Sequence, residues 1–287
     1  DNPLILHISK REELPAIADR IPDIAYPLME AFWPGPMTLI FYKSKSVPYE
    51  ITGGLETVAV RMPSHKAARM LIEAAGAPIA APSANISGRP SPTTAAHVRE
   101  DLDGRIEMII DGGAVNIGVE STIVDLTEAI PTILRPGHIT KDMLQKVAGE
   151  VRLDPGLSET ASDRKPKAPG MKYRHYAPRA KMTVFDGDLD IVVKQINDRA
   201  REYPAAQVGI LASEETVGSY THGQVVSAGS RNAGTVEQGL YSALRLFDHK
   251  GVEVILSESF SQEDKGEAIM NRLMKAAGQH IIYLSRE

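Results

Sequence analysis

A loop of small polar residues between Pro82 and Thr94 carries the clearest chemical signal in this sequence. It holds three serines, an asparagine, a glycine and an arginine, between a predicted strand and a predicted helix. Hydroxyl and amide groups beside the free N–H groups and positive dipole end of a helix can bind phosphate. The alternative is a solvated turn with a helix cap, and the loop by itself leaves both interpretations open.

Two arginines lie at or near the ends of predicted strands. Arg61 ends the apolar run that begins at Thr57, and Arg135 lies in Leu134-Arg135-Pro136-Gly137. A guanidinium in such a place can bind a carboxylate through two hydrogen bonds, or it can form a surface ion pair. His7 and Ser121 are equally ambiguous when each is taken singly.

A third candidate is the segment from Lys172 to Tyr176, which contains two cationic residues, two tyrosines and a histidine. Such a segment can stack on a base or bind phosphates, and it can also be a simple tether. It lies in a stretch rich in proline, glycine and lysine, from Asp154 to Pro178, that we interpret as a linker.

Composition excludes several other kinds of site. The 287 residues contain no cysteine, which excludes disulfides, thiolate metal sites and cysteine nucleophiles from this sequence. A net charge of -5 gives no overall attraction to nucleic acid. There is no phosphate-binding loop of the G-x-x-x-x-G-K type, and no apolar run approaches the ~20 residues that span a bilayer, so we expect a cytoplasmic protein.

The elements that must position these residues change character along the chain. The first half mixes short strands, such as Met37 to Tyr42, with short helices. We predict a capping box at Ser9 to Glu12, a helix from Thr93 to Leu102 capped by Ser91, and a strand from Ile106 to Ile110. From Met182 onward, strands and helices alternate, which predicts a parallel, Rossmann-like sheet.

Seven motifs in order make the sequence resemble a known family, the two-domain form of threonylcarbamoyl-AMP synthase. The resemblance covers essentially the whole chain. The motifs are Asn2-Pro3-Leu4 through His7, Pro34-Gly35-Pro36-Met37-Thr38, Val60-Arg61-Met62-Pro63, Ser83-Ala84-Asn85-Ile86-Ser87-Gly88, Ser121-Thr122-Ile123-Val124-Asp125, Leu134-Arg135-Pro136-Gly137 and Pro169-Gly170-Met171-Lys172-Tyr173-Arg174-His175-Tyr176-Ala177-Pro178.

The resemblance implies a nucleotidyltransferase that makes L-threonylcarbamoyl-AMP and pyrophosphate from L-threonine, bicarbonate and ATP with Mg²⁺. The product serves the formation of N6-threonylcarbamoyladenosine in tRNA, through handover to a tRNA threonylcarbamoyltransferase complex, and weak RNA binding is a further expectation. The implied fold is α/β, with an N-terminal twisted mixed domain that has a concave cavity (1–153), a linker that acts as a lid (154–179) and a C-terminal Rossmann-like domain (180–287).

The resemblance also assigns individual residues, none of them as a catalytic acid or base or as a metal ligand. The threonine side comprises His7, Arg61, Ala81 and Ser121. The ATP side comprises Asn2, Thr57, Ser83, Asn85, Ser91, Arg135, Tyr173, Arg174, His175 and Tyr176. Members of the family carry a Lys-x-Arg-Pro segment before the Asn-Pro-Leu stretch, so we expect the domain to continue before Asp1.

Two rival interpretations remain at this stage. A carbamoyl-transfer enzyme of hydrogenase maturation uses a similar domain, but it carries zinc-finger-like segments that a sequence without cysteine cannot form. An RNA-binding or regulatory protein could use a concave basic cavity without catalysis. The net charge of -5 argues against RNA as the main partner.

Overall fold

The computed structural model describes residues 2–157, 176–260 and 266–285. By their packing the residues form two compact units. The N-terminal unit comprises residues 1–82 and 120–172, and the C-terminal unit comprises residues 83–119 and 173–287. The predicted linker lies mostly outside the described residues.

A mixed sheet of seven strands forms the framework of the N-terminal unit, in the order β4-β1-β3-β2-β5-β6-β7. The pairs β1–β3, β2–β5 and β6–β7 are parallel, and the others are antiparallel. This confirms the predicted mixed α/β class. The strands are β1 (Ile5–His7), β2 (Met37–Tyr42), β3 (Thr57–Arg61), β4 (Ile79–Ala81), β5 (Thr122–Asp125), β6 (Thr132–Arg135) and β7 (Arg152–Leu153).

The two faces of this sheet differ in chemistry because side chains alternate along each strand. On one face, Leu39, Val60 and Val124 join the main core with helix residues such as Leu28 and Leu144. The other face, which we call the polar face, carries His7, Thr38 and Arg61 beside a small apolar cluster. The helices of this unit are α1 (Leu14–Ile17), α2 (Ala25–Phe32), α3 (Tyr49–Thr52), α4 (Lys66–Ala75) and α6 (Lys141–Ala148), with 3₁₀ turns at Arg11–Glu13 and Pro155–Leu157.

A fully parallel sheet of five strands forms the framework of the C-terminal unit, which confirms the Rossmann-like prediction. Its order is β10-β9-β11-β8-β12, with an apolar cluster on each face. The elements are α5 (Ala95–Leu102), β8 (Lys181–Asp186), α7 (Leu189–Ala200), β9 (Val208–Ala212), a 3₁₀ turn at Val217–Ser219, β10 (Gln224–Ser227), α8 (Val236–Lys250), β11 (Val254–Glu258), α9 (Gly266–Ala276) and β12 (Ile281–Tyr283).

One part of the division was not visible in the sequence. Residues 83–119, placed within the first predicted domain, belong to the C-terminal unit and contact its helix α8. The contacts that hold them include Thr93 Oγ1 to Ser242 Oγ at 2.8 Å and Gln238 Nε2 to Val115 O at 3.3 Å. The division into a catalytic domain that ends at residue 153 and a C-terminal domain that begins at residue 180 stays a prediction.

Three local predictions are wrong. Helix α5 is capped by Thr94, whose Oγ1 accepts from His97 N at 3.3 Å, because Ser91 lies a turn too early and is buried. Residues 106–110 form no strand, since their backbone has no ladder partner. The capping box fails because the Ser9 hydroxyl bonds the Glu13 carboxylate instead of a helix N–H group.

Candidate active site

The register of the sheet brings three polar side chains to one level of the polar face. His7 on β1 pairs with Arg61 on β3, and Arg61 pairs with Thr38 on β2. Paired residues of neighbouring strands point to the same side of a sheet. The three side chains therefore lie side by side, and Thr38 is the one of the three to which no role was assigned from the sequence.

Arg61 is held in place through the loop before β2. Its Nε donates to Gly35 O at 3.1 Å, which leaves the two terminal Nη atoms as the edge that a carboxylate can bind. Position 35 requires glycine because a Cβ there would come within 2.3 Å of Phe32 O. The Pro34-Gly35-Pro36 motif thus fixes the direction of the guanidinium.

A second arginine joins this row through two hydroxyls. Arg135 Nε donates to Ser121 O and Nη2 to Ser121 Oγ, both at 3.1 Å. Ser121 Oγ lies 2.7 Å from Thr38 Oγ1. A shift in the β5–β6 register next to Ile123 breaks the alternation at this point, and Arg135 consequently lies on the side of Thr38.

Electrostatics make this part of the face a site for anions. Burial, and then the positive charge of Arg135, lower the pKa of Arg61 to about 10. Burial, and then the charge of Arg61, lower the pKa of His7 to about 4. At neutral pH the site therefore holds two cationic guanidinium groups and an uncharged imidazole whose Nδ1 lies 3.1 Å from Ile5 O.

Other predicted residues of the N-terminal unit lie further along the sheet. Ala81 pairs with Ile5 and belongs to the same polar face. Thr57 lies at the opposite end of β3 from Arg61, which separates the two by ~13 Å at the usual rise of a strand. Asn2 is exposed before β1.

The loop from Ser83 to Ser91, which we call the nucleotide loop, belongs to the C-terminal unit. Asn85 Nδ2 closes it by donating to Ile86 O at 2.8 Å, and more weakly to Arg89 O. Asn85 Oδ1 is buried and has no hydrogen-bond partner among the described residues. Ser83 is exposed and Ser91 is buried.

The arginine of the predicted phosphate cradle is already engaged. Arg89 pairs with Asp101 and with Glu100, the latter at 2.7 Å. Its guanidinium is therefore part of the structure that holds the loop in place.

Of the four linker residues assigned to ATP, only Tyr176 is described. Its ring is 7% exposed and packs on Tyr241, with the ring centroids 5.2 Å apart. Tyr173, Arg174 and His175 lie outside the described residues, so their assignment to ATP stays a prediction.

The carboxyl edge of the C-terminal sheet, where parallel sheets usually bind ligands, is occupied by an internal network. Glu258 is fully buried and accepts from Tyr220 Oη and Arg231 Nη2, both at 2.7 Å. Burial and this carboxylate raise the pKa of Tyr220. In the part of the chain that the structure describes, this edge is thus stabilised by its own ion pair.

Comparisons with known proteins place the chain in a family. A family model described as "Telomere recombination" matches residues 1–137, and one described as "Threonylcarbamoyl-AMP synthase, C-terminal domain" matches residues 139–278. The threonylcarbamoyl-AMP synthase of Pyrococcus abyssi is 50% identical over 98% of this chain and 82% of its own length. The chain belongs to the threonylcarbamoyl-AMP synthase family. The family resemblance read from the motifs is confirmed.

Further members of the threonylcarbamoyl-AMP synthase family agree in sequence and fold. The Bacillus subtilis enzyme is 48% identical, over 98% of this chain and 81% of its own length. The crystal structure of P. abyssi Sua5 complexed with L-threonine superposes with a TM-score of 0.93 at 47% identity, covering 99% of this chain and 82% of that one. Among the described residues, none of the helices has the length and the apolar composition that a membrane span needs.

Replacing Gly137 by alanine tests the packing behind Arg135. A Cβ there would lie 2.6 Å from Thr122 N and 2.8 Å from Glu120 O, and these backbone atoms cannot move without shifting Ser121. We expect Gly137→Ala to lower the free energy of unfolding by ~1–3 kcal/mol in urea titrations. Gly218→Ala is the control, because its Cβ meets no atom within 4 Å; an equal effect of both variants would contradict the packing argument.

The low pKa of His7 predicts a pH-dependent contribution to stability. The folded protein holds this pKa at about 4, below its ordinary 6.5, so the unfolded chain binds more protons between these values. Stability from this residue is therefore fully present above pH 6.5 and is lost as the pH falls towards 4. We expect the stability advantage of the wild type over His7→Gln to shrink between pH 7 and 4.5, in urea titrations.

His65→Gln is the control variant, because it also removes an imidazole but at an exposed position. An NMR titration of the His7 ring should give a midpoint near the same value of about 4. A midpoint at 6.5 or above would show that burial and Arg61 do not act on His7 as described.

Proposed function

We propose that this protein forms L-threonylcarbamoyl-AMP and pyrophosphate from L-threonine, bicarbonate and ATP. The observation that carries the proposal is the pair of arginines, Arg61 and Arg135, on one face of the sheet in a chain half identical to a threonylcarbamoyl-AMP synthase. Two neighbouring cationic groups suit a reaction that joins two anions.

Threonine binding is assigned to the part of the face around β1 and β3. The Nη edge of Arg61 binds the carboxylate, since its Nε is used by Gly35 O. His7 is uncharged at neutral pH because its pKa is about 4, so it adds no charge beside the substrate amine. We assign Ser121 and the backbone of Ala81 to the same substrate.

The proposed reaction has two steps, and the second forms a covalent bond to phosphorus. The threonine amine takes up bicarbonate with loss of water and becomes an N-carboxylate. A carboxylate oxygen attacks the α-phosphorus of ATP, and the bond to the departing pyrophosphate breaks. Positioning and fixed positive charge supply most of what such a step needs, and Arg135, held by Ser121, lies beside the threonine end of the face.

Mg²⁺ enters this proposal as part of the substrate, MgATP. The described residues contain no cluster of three or more histidine, aspartate or glutamate side chains that could hold a metal ion. Among these residues, the polar face carries one imidazole, that of His7, beside the cationic Arg61, and a single nitrogen ligand next to a positive charge does not fit a divalent cation held by protein. In MgATP the ion neutralises phosphate charge, and its ligands come from the phosphates.

The product and its further use complete the proposal. The adenylate is unstable in water, so we propose direct handover to a tRNA threonylcarbamoyltransferase complex, and the N6-threonylcarbamoyladenosine of tRNA is the end point. Any RNA contact is weak and local, given the net charge of -5. This role places the protein in the cytoplasm.

Pyrophosphate release from ATP tests the reaction, and arginine variants test the assignment. We expect release only when L-threonine and bicarbonate are both present. Arg61→Ala should raise the KM for threonine by ~10–100-fold, because a charge-assisted bidentate contact is lost. Arg135→Ala and Ser83→Ala should chiefly raise the KM for ATP.

Arg152→Ala provides the control, since Arg152 lies on the same sheet but is exposed and pairs with Glu150. L-Serine in place of threonine checks the substrate. Release that is independent of threonine would refute the proposed reaction, and unchanged apparent affinities in all three variants would refute the assignment of residues.

A further inference from the structure

Helix α8 of the C-terminal unit binds the nucleotide loop through one buried arginine. Arg245 is 1% exposed. Its Nε and Nη2 donate to Pro90 O at 3.1 and 2.7 Å. The same guanidinium bonds both carboxylate oxygens of Asp101, with Nη2 to Oδ2 at 2.7 Å and Nη1 to Oδ1 at 3.3 Å.

Asp101, on α5, connects this arginine to the rest of the loop. Its side chain is fully buried. Besides Arg245, its carboxylate accepts from Ile86 N at 3.3 Å and from the Arg89 guanidinium. Three points of the loop, at Ile86, Arg89 and Pro90, are thus held by one buried ion pair.

The residues around the ion pair strengthen the same connection. Glu100 accepts from Arg89, and its other oxygen lies 3.0 Å from His249 Nε2. Ala177 N donates to Gly88 O at 2.9 Å. The loop is therefore bounded by α5, by α8 and by the chain that leaves the linker.

This arrangement is better suited to fixing geometry than to adding stability. A buried ion pair contributes little more to stability than apolar residues of the same volume, because both charges lose their hydration. A guanidinium with five donors in a rigid plane can satisfy a carbonyl and a carboxylate at once, which neither lysine nor an apolar residue can do. The pair specifies where the backbone of the loop lies.

We propose that Arg245 and Asp101 are positioning residues that orient the nucleotide loop for ATP. This inference rests on the proposed function, in which Asn85 and Ser91 of that loop lie on the ATP side. Asn85 Oδ1, buried and without a partner among the described residues, is one group of the loop that such positioning would direct. Arg245 and Asp101 thereby contribute to ATP use without touching the substrate.

The first test compares the KM values for the two substrates. Arg245→Lys keeps the charge and loses the planar fork, and Asp101→Asn keeps the shape and loses the charge. We expect each to raise the KM for ATP by ~10-fold or more, because small displacements of positioning groups are costly, while the KM for threonine changes by less than about 2-fold. Arg272→Lys is the matched control, since Arg272 on α9 is equally buried in the same unit and donates to Asn271.

A control variant that raises the KM for ATP equally would overturn the inference, as would equal changes in both KM values. If the wild type releases no pyrophosphate with threonine and bicarbonate, the proposed function fails instead. Amide hydrogen exchange of the wild type provides a second readout that needs no variant. We expect MgATP alone to slow exchange both in 83–91 and in 240–248 of α8, and protection of the loop without α8 would overturn the inference.

Discussion

The neighbouring positive charges of Arg61 and Arg135 are the constraint on which the N-terminal unit depends. Each guanidinium has lost much of its hydration, and each raises the cost of charging the other. Repulsion of this kind lowers the stability of the folded chain when no anion is present. Binding of anionic substrates offsets this repulsion. The repulsion that destabilises the empty site therefore also favours the binding of anions.

The rest of the unit keeps these charges from moving apart. Sheet register places Arg61 beside Thr38, and the hydroxyl of Ser121 connects Thr38 to Arg135. Glycines at positions 35 and 137 allow backbone to approach backbone more closely than any side chain would permit. Rigid placement of this kind is what charge stabilisation requires, because donors that relax away from a ligand contribute little.

The strands that carry Thr38 and Arg61 were predicted well from the sequence. Strand ends such as Arg61 are visible because an apolar run stops at a charge, and β2 and β3 have the predicted extents. The role of Arg245 was not predictable, since it follows an amphipathic pattern on α8 and its partner Asp101 is 144 residues away. The apolar run at 106–110 misled for a related reason: β-prone residues form a strand only where another strand offers a partner.

The distance along the chain between Asp101 and Arg245 also affects how the protein is made. At ~5–20 residues per second, a ribosome needs about 7–30 s to synthesise the 144 residues between them. Throughout that interval α5 and the loop before it lack the arginine that compensates the buried carboxylate. The chain leaves the N-terminal unit after Pro82 and returns to it at Glu120. Residues 83–119 are therefore continuous at both ends with the strands β4 and β5 of the other unit. The contacts of Arg245 with the nucleotide loop can therefore form only after α8, near the end of the chain, has been synthesised.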